Sequence, residues 1–388
     1  MPHHDPAALS LIHSETLSDP PSLRVLHICE TAVGGVGTYI STLNRLMAEP
    51  SSADRQVISK VVLPQSHEDA IDQETPRRSF YHRRRGFVSL LCFARASLSE
   101  RFRYRPHIIF CHSSFALLAL ILLRPISPRI KFIYCAHGWA GAREMDNHRK
   151  KSLVQKLEGW LCGLAHRVLN VSQGEYDFAT KHGYRGCHVV IENAVWDRVK
   201  HEEHFAFEGP PDAINLLFVG RFDRQKGLDI LLEAFVEARA INPALHLQVI
   251  GQSVRDRGKE RFEEEPPIGV TFHGWIPADQ IDRYYSAADL LVVPSRWEGF
   301  GLVIPEALRN GLPVLVSDRC AIADAIEPDI SGWSCRLDVS ALSKCLVALD
   351  KVRLKAMAPA ARDLFLRRFY APRLGREIMA LYQALVPR

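Results

Sequence analysis

The sequence predicts an α/β protein of two domains, each built on a parallel sheet covered by helices. Three observations carry that expectation. Short apolar runs alternate with helical stretches of about 10–15 residues, the pattern of strand–helix–strand units with right-handed crossovers. The alternation stops once, in the polar, unperiodic stretch 196–212 with its Gly209-Pro210-Pro211, and then resumes. At 388 residues the chain is long enough to bury two full cores.

Residues 1–22 are polar and proline-containing, with no basic segment leading into an apolar core. They are expected to form a disordered tail and not a signal peptide. Arg24 to Cys29 reads as the first strand, and the glycines at 34, 35 and 37 turn the chain into a helix ending near Ala48. Strands follow at Val57 to Leu63, His107 to Cys111, Lys131 to Ala136, Arg167 to Val171 and His188 to Ile191. Phe115 to Leu123 is the most apolar run and reads as a buried helix. It falls well short of the roughly 20 apolar residues that span a bilayer. The first domain is expected over 23–196, a linker over 197–212 and the second domain over 213–370. Its strands are expected at 214–219, 245–250, 269–273, 289–293 and 313–316, with an amphipathic helix from Leu228 to Ala240. From about Asp338 the chain reads as helical, and Arg373 to Leu385 is amphipathic.

Composition, 47% hydrophobic and 24% charged, is that of an ordinary globular protein. The nine cysteines are dispersed without Cys-x-x-Cys spacing, which argues for reduced thiols and against a metal site or a disulfide framework. A net charge of +5 conceals a local excess: nine arginines lie between Arg77 and Arg105 against one acid, Glu100. Six aromatic residues are interleaved with them. The stretch reads either as a solvated loop and helix face or as an attractor of anionic lipid or of a lipid-diphosphate acceptor, where each basic residue near an anionic surface adds about 1 kcal/mol. No nucleic-acid module is present in the sequence, so no nucleic-acid partner is expected.

Chemistry concentrates in two places. The strand Leu290 to Val293 leads through Pro294-Ser295-Arg296-Trp297-Glu298-Gly299-Phe300-Gly301-Leu302 into a helix that carries Glu306. A strand–turn–helix junction offers backbone N–H groups to a phosphate, while carboxylates beside it suit hydroxyls. The strand Leu216 to Val219 leads into Gly220-Arg221-Phe222-Asp223-Arg224-Gln225-Lys226-Gly227. Arg221 and Lys226 can converge there on one anion. A diphosphate with a hydroxyl-rich group at each end describes a nucleotide sugar.

In order and spacing these motifs resemble the retaining glycosyltransferases of the GT-B fold, of the family-four (glycosyl transferases group 1) type. The resemblance rests on Gly220-Arg221, Lys226-Gly227 and the Glu298/Glu306 pair, supported by Gly34-Gly35-Val36-Gly37, His137-Gly138-Trp139, Val171-Ser172, Asn193-Ala194-Val195, Phe272-His273-Gly274-Trp275 and Gly311-Leu312-Pro313-Val314. Ala194 departs from the family's usual glycine. The resemblance implies two Rossmann-like, doubly wound domains facing across a cleft, with the C-terminal helix (371–388) crossing back to the first. It implies that Glu306 holds the donor ribose, Glu298 the hydroxyls of the transferred sugar, and the backbone N–H groups around Phe300, Gly301 and Leu302 the diphosphate and the sugar. Arg221 and Lys226 then neutralise the leaving group, His137 lies near the reacting centre, and Gly35 and Gly37 abut the donor phosphate or the acceptor. The sequence lacks an Asp-x-Asp pair, and no metal or other cofactor is expected.

The expected function is hexose transfer from a UDP- or GDP-linked sugar to a hydroxyl acceptor, with a lipid-linked saccharide as the acceptor class. The setting is cytoplasmic, with peripheral contact to an anionic membrane through Arg77 to Arg105. Two other readings stay open at this point: a nucleotide-sugar epimerase on the same fold, and a non-catalytic sugar-nucleotide-binding scaffold.

Overall fold

The computed structural model describes residues 22–48, 56–81, 86–145, 147–198, 205–253 and 261–387. Apart from its last residue, the expected tail over 1–22 lies outside them, as do Arg83, Arg84 and Arg85. The first sheet comprises β1 (Leu23–Cys29), β2 (Val57–Pro64), β3 (Arg77–Phe80), β4 (Ile108–His112), β5 (Lys131–Cys135), β6 (Arg167–Asn170) and β7 (His188–Val190). The second comprises β8 (Ile214–Val219), β9 (Leu245–Ile250), β10 (Val270–Gly274), β11 (Leu290–Val293), β12 (Val314–Ser317) and β13 (Gly332–Cys335).

Strand order is β3-β2-β1-β4-β5-β6-β7 in one sheet and β10-β9-β8-β11-β12-β13 in the other. Every pairing is parallel. Helices cover both faces, so central strands such as β4 and β11 are buried throughout, which is why they read as unbroken apolar runs. The order reverses between β1 and β4 and between β8 and β11. A crevice opens outside the strands' carboxyl ends at such a switch point. This is the doubly wound α/β architecture that the sequence predicts.

Two edge strands escape the sequence reading. β3 is Arg-Arg-Ser-Phe and β13 is Gly-Trp-Ser-Cys, both short and too polar for an apolar run. The Phe115 to Leu123 stretch also needs correction. It forms a 3₁₀ turn (Ser114–Ala116) and a short helix (Leu117–Leu123), and Phe115, Leu118, Ile121 and Leu122 face outward.

The chain passes between the two sheets twice, and the passages run side by side. Val195 N–H donates to Phe369 O, and Ala371 N–H donates to Val195 O, both at 3.0 Å. Arg368 holds Glu192 with two bonds of 2.6 and 2.7 Å. Beyond this seam the helix Ala371–Leu385 packs on the helix Gly35–Ala48. Leu374, Ile378, Leu381, Tyr382 and Leu385 are buried along it. Each such side chain contributes about 1.5–3 kcal/mol relative to exposure. That apolar stripe ties the C-terminal helix to the first sheet's layer.

Candidate functional site

The loop after β11 carries Glu298 and ends in the short helix Val303–Arg309. Glu298 Oε2 accepts from Lys226 Nζ at 2.6 Å and from Ser295 Oγ at 3.3 Å. Only 15% and 11% of the two charged side chains are exposed. The loop after β8 is stitched to this one: Arg296 N–H donates to Gln225 O, and Gln225 Nε2 donates to Trp297 O. Gly301 has φ +84°, and a Cβ there would lie 3.0 Å from Glu298 Cγ. Glycine at 301 lets the glutamate fold back beneath the loop.

Lys226 and Arg221, which the sequence reading expects to meet one anion, each rest on a different carboxylate in this structure. Lys226 pairs with Glu298, whereas the half-exposed Arg221 pairs with Asp223 at 3.0 Å.

Glu306 lies one turn into its helix, half-buried, and its Oε2 accepts from the buried Tyr285 hydroxyl at 2.9 Å. Burial pushes its carboxyl above the usual range, with Arg309 acting in the opposite direction. The Phe300 side chain packs edge-on against Phe369 in the core, so only its backbone is available to a ligand. Leu302 faces Gly35 across the cleft, 3.7 Å from where a Cβ would sit. Gly37 is different. A Cβ there would come within 2.2 Å of Ala32 O, so this glycine serves a tight turn beneath the surface and does not line the cleft.

On the first sheet's side, His137 follows β5 with φ +51°, and its Nε2 lies 2.9 Å from His112 Nδ1. Beside it Gly138 N–H donates to Glu175 Oε1, and Val171 N–H donates to Glu175 Oε2 at 3.0 Å. The sequence reading missed Glu175, because a lone glutamate in the first turn of a helix looks like a dipole partner. Ser172, quoted there only as half of a Val-Ser pair, caps that helix. Its hydroxyl also donates to Gly299 O at 2.8 Å.

The two sheets' layers meet at this point. A Cβ on Gly299 would lie 2.8 Å from Gly138 Cα and 3.0 Å from Glu175 Oε1. Gly174 N–H donates to Ala321 O at 3.2 Å. At the rim Glu144 pairs with Arg224 at 3.3 Å and with Arg319 at 3.0 Å. The cleft is therefore narrow where Gly138 and Gly299 touch, with His137 on one wall and the Lys226–Glu298 pair on the other. A separate cavity of about 560 Å³, lined by Phe207, Asn215, Asp289 and Lys351, lies at the opposite, amino-terminal edge of the second sheet and takes no part in this site.

Burial raises the Glu175 carboxyl to about 8, against the two N–H groups that favour its charged form. A carboxyl raised in the folded state contributes stability that is complete below its unfolded value and lost as pH rises through the folded one. Between roughly pH 4.5 and 8 this group should therefore lower stability by about 1 kcal/mol per pH unit. Urea unfolding across that window should show a shallower pH slope in Glu175→Met than in the wild type. Parallel slopes would show that the carboxyl titrates normally.

Residues 33–195 match the family described as Glycosyltransferase Family 4, and residues 199–344 match the family described as Glycosyl transferases group 1. Over 323 residues the chain is 29% identical to a Klebsiella pneumoniae protein described as an uncharacterized 41.2 kDa protein in the cps region, covering 80% of this chain and 85% of that one. Over 132 residues it is 31% identical to the lipopolysaccharide 1,2-N-acetylglucosaminetransferase of Salmonella typhimurium. That match covers 31% of this chain and 35% of the relative's length. Among solved structures, sucrose-phosphate synthase from Thermosynechococcus elongatus superposes with a TM-score of 0.75 at 20% identity, covering 94% of this chain and 99% of that one. Anabaena Alr3699/HepE in complex with UDP and glucose superposes with a TM-score of 0.71 at 18% identity, covering 93% and 100%.

Proposed function

Because the chain belongs to the family-four type of GT-B glycosyltransferases, we propose that it is a retaining, metal-independent hexosyltransferase. It moves a hexose from a UDP- or GDP-linked donor to a hydroxyl acceptor, a lipid-linked saccharide in polysaccharide or lipopolysaccharide assembly. Relatives named for lipopolysaccharide and colanic acid synthesis support the acceptor class. A structural neighbour solved with UDP-glucose supports the donor class.

The observation that carries this reading is the mostly buried Lys226–Glu298 pair at the join of two loops. A diphosphate entering there competes for Lys226. The lysine turns to the phosphate and releases Glu298, whose carboxylate then accepts from hydroxyls of the transferred sugar. Arg221, half-exposed at the mouth, adds a second cation, so two fixed positive charges face the negative charge that develops on the leaving diphosphate, without a metal. Glu306 holds the ribose. His137 faces the sugar from the other wall. The leaving phosphate takes the acceptor's proton on the same face as departure, which retains the anomeric configuration.

The acceptor side carries the expected membrane contact. Arg77 is not part of it, because its guanidinium is bonded to the carbonyls of Thr75, Glu68 and Asp72. Arg101 is bonded to Ser127. Arg78, Arg95, Arg103 and Arg105 stay exposed, together with Phe87, Val88 and Leu91 at the start of the helix Phe87–Tyr104. These residues dock the enzyme on the anionic cytoplasmic face of a membrane.

One assay tests the whole reading. UDP- and GDP-hexoses are offered with a lipid-linked hydroxyl acceptor in anionic or neutral vesicles, chelator present throughout, and the product's anomeric configuration is read by NMR. Transfer with retention, faster on anionic vesicles, is expected. Inverted product or dependence on a divalent cation overturns the mechanism, conversion of donor alone points to an epimerase, and equal rates on both vesicles remove the membrane contact.

A further inference from the structure

His27, His112 and His137 form a column of imidazoles across the carboxyl edge of the first sheet, on β1, on β4 and just after β5. His27 Nδ1 lies 2.9 Å from His112 Nε2, and His112 Nδ1 lies 2.9 Å from His137 Nε2. Successive ring centroids are 5.2 Å apart with planes within 21° and 25°, so the rings meet edge to edge and nearly coplanar, as the two hydrogen bonds require. Phe110 stacks on His112 at 4.2 Å, and the Tyr39 ring closes the column edge-on against His112 and His137. The left-handed backbone at His137 turns that ring back over the column.

Burial holds His27 and His137 at about 3 and His112 well below its ordinary value. Each ring is therefore neutral near pH 7 and carries a single N–H. Two proton arrangements preserve both hydrogen bonds. In one, all three Nδ1 atoms are protonated; in the other, all three Nε2 atoms are. The second puts an N–H on His27 Nε2, for which no hydrogen bond is found among the described residues, in a side chain that is 1% exposed. The first leaves only a bare lone pair there. An unpaired buried N–H is the costlier defect, and native structures contain very few.

We propose that this column locks His137 as an Nδ1–H donor toward the cleft, with His112 and His27 as positioning residues that set its tautomer. His137 then donates to a sugar hydroxyl or to a developing oxyanion, and it does not act as a base. The proposal rests on the reading that His137 faces the transferred sugar. It adds that two buried residues out of a ligand's reach govern what His137 can do.

The test is ring ¹⁵N NMR of the full-length chain labelled at histidine, with His137 assigned by His137→Phe. In the wild type His137 should carry its proton on Nδ1. His27→Phe takes the donor from His112 Nε2, and the His137 ring signals should move to a mixture of tautomers. In the same variant kcat should fall about tenfold, the scale of lost outer-shell partners of a functional imidazole, with donor KM unchanged. His27→Asn, whose amide nitrogen stands in for Nδ1, should restore both. Should His27→Phe not fold, His27→Asn compared with His112→Phe carries the same test. An Nε2–H His137 in the wild type, or an unchanged tautomer in His27→Phe, overturns the proposal and leaves the column as core packing. Normal kcat in His137→Phe overturns the sugar contact instead, whatever the tautomer shows.

Discussion

Lys226→Ala is expected to lower kcat by about a hundredfold or more, the scale of removing one preorganised donor from a developing oxyanion. The same change strands Glu298, which is 11% exposed and, among the described residues, keeps only the Ser295 hydroxyl at 3.3 Å. Breaking a buried ion pair from one side can cost about 3–5 kcal/mol. Residual exposure of Glu298 reduces that figure here. The double variant Lys226→Ala/Glu298→Gln separates the two effects, because it removes the stranded charge without returning the lysine. Its urea midpoint should recover toward the wild type while kcat stays low. Recovery of kcat together with stability would sink the assignment of Lys226 to the leaving diphosphate.

Glu306→Ala is expected to reduce kcat/KM for the donor by about a hundredfold, as a site built to bind a hydroxyl loses it. UDP affinity measured by isothermal titration should fall alongside. Alanine also leaves the buried Tyr285 hydroxyl without its acceptor, a loss of about 1–3 kcal/mol in stability. Glu306→Gln keeps an acceptor for Tyr285 and removes the charge. The sign follows from burial, which raises the Glu306 carboxyl in the folded protein. The stability it lends is present below the unfolded carboxylate range and lost as pH rises through the raised value. At pH 7–8 glutamine should therefore match or exceed the wild type in thermal midpoint while donor affinity falls. Stability and binding moving in opposite directions is the signature of a carboxylate kept for a ligand. If UDP binds Glu306→Ala as it binds the wild type, the nucleotide lies elsewhere.

The loops after β8 and β11 were legible because their sequence pattern is local. Gly220-Arg221, Lys226-Gly227 and the eight-residue step from Glu298 to Glu306 are short, ordered patterns, and each follows a strand whose apolar run marks its carboxyl end. Gly35 and Gly37 looked alike in sequence, yet one faces Leu302 across the cleft and the other is consumed by Ala32 and Ala70. Nothing in a glycine's neighbours along the chain tells a ligand-facing turn from a packing turn. Arg77 was similarly indistinguishable from its neighbours until three backbone carbonyls were brought around it.

By itself the sequence determined the two parallel sheets, the break between them, the apolar stripe of the last helix and the residue types at the strand ends. Periodicity, turn residues and strand ends are properties of contiguous chain, and contiguous chain is what a sequence displays. Only the tertiary structure decided that Lys226 rests on Glu298, that Ser172 and Glu175 meet Gly299, and that three histidines far apart in the chain share one hydrogen-bonded column. Those contacts join residues 25 to 127 positions apart. Whether a charge is paired, a carboxyl raised or an imidazole held neutral depends on what the fold brings within a few ångströms, because desolvation and hydrogen bonding act over that distance and no further along the chain.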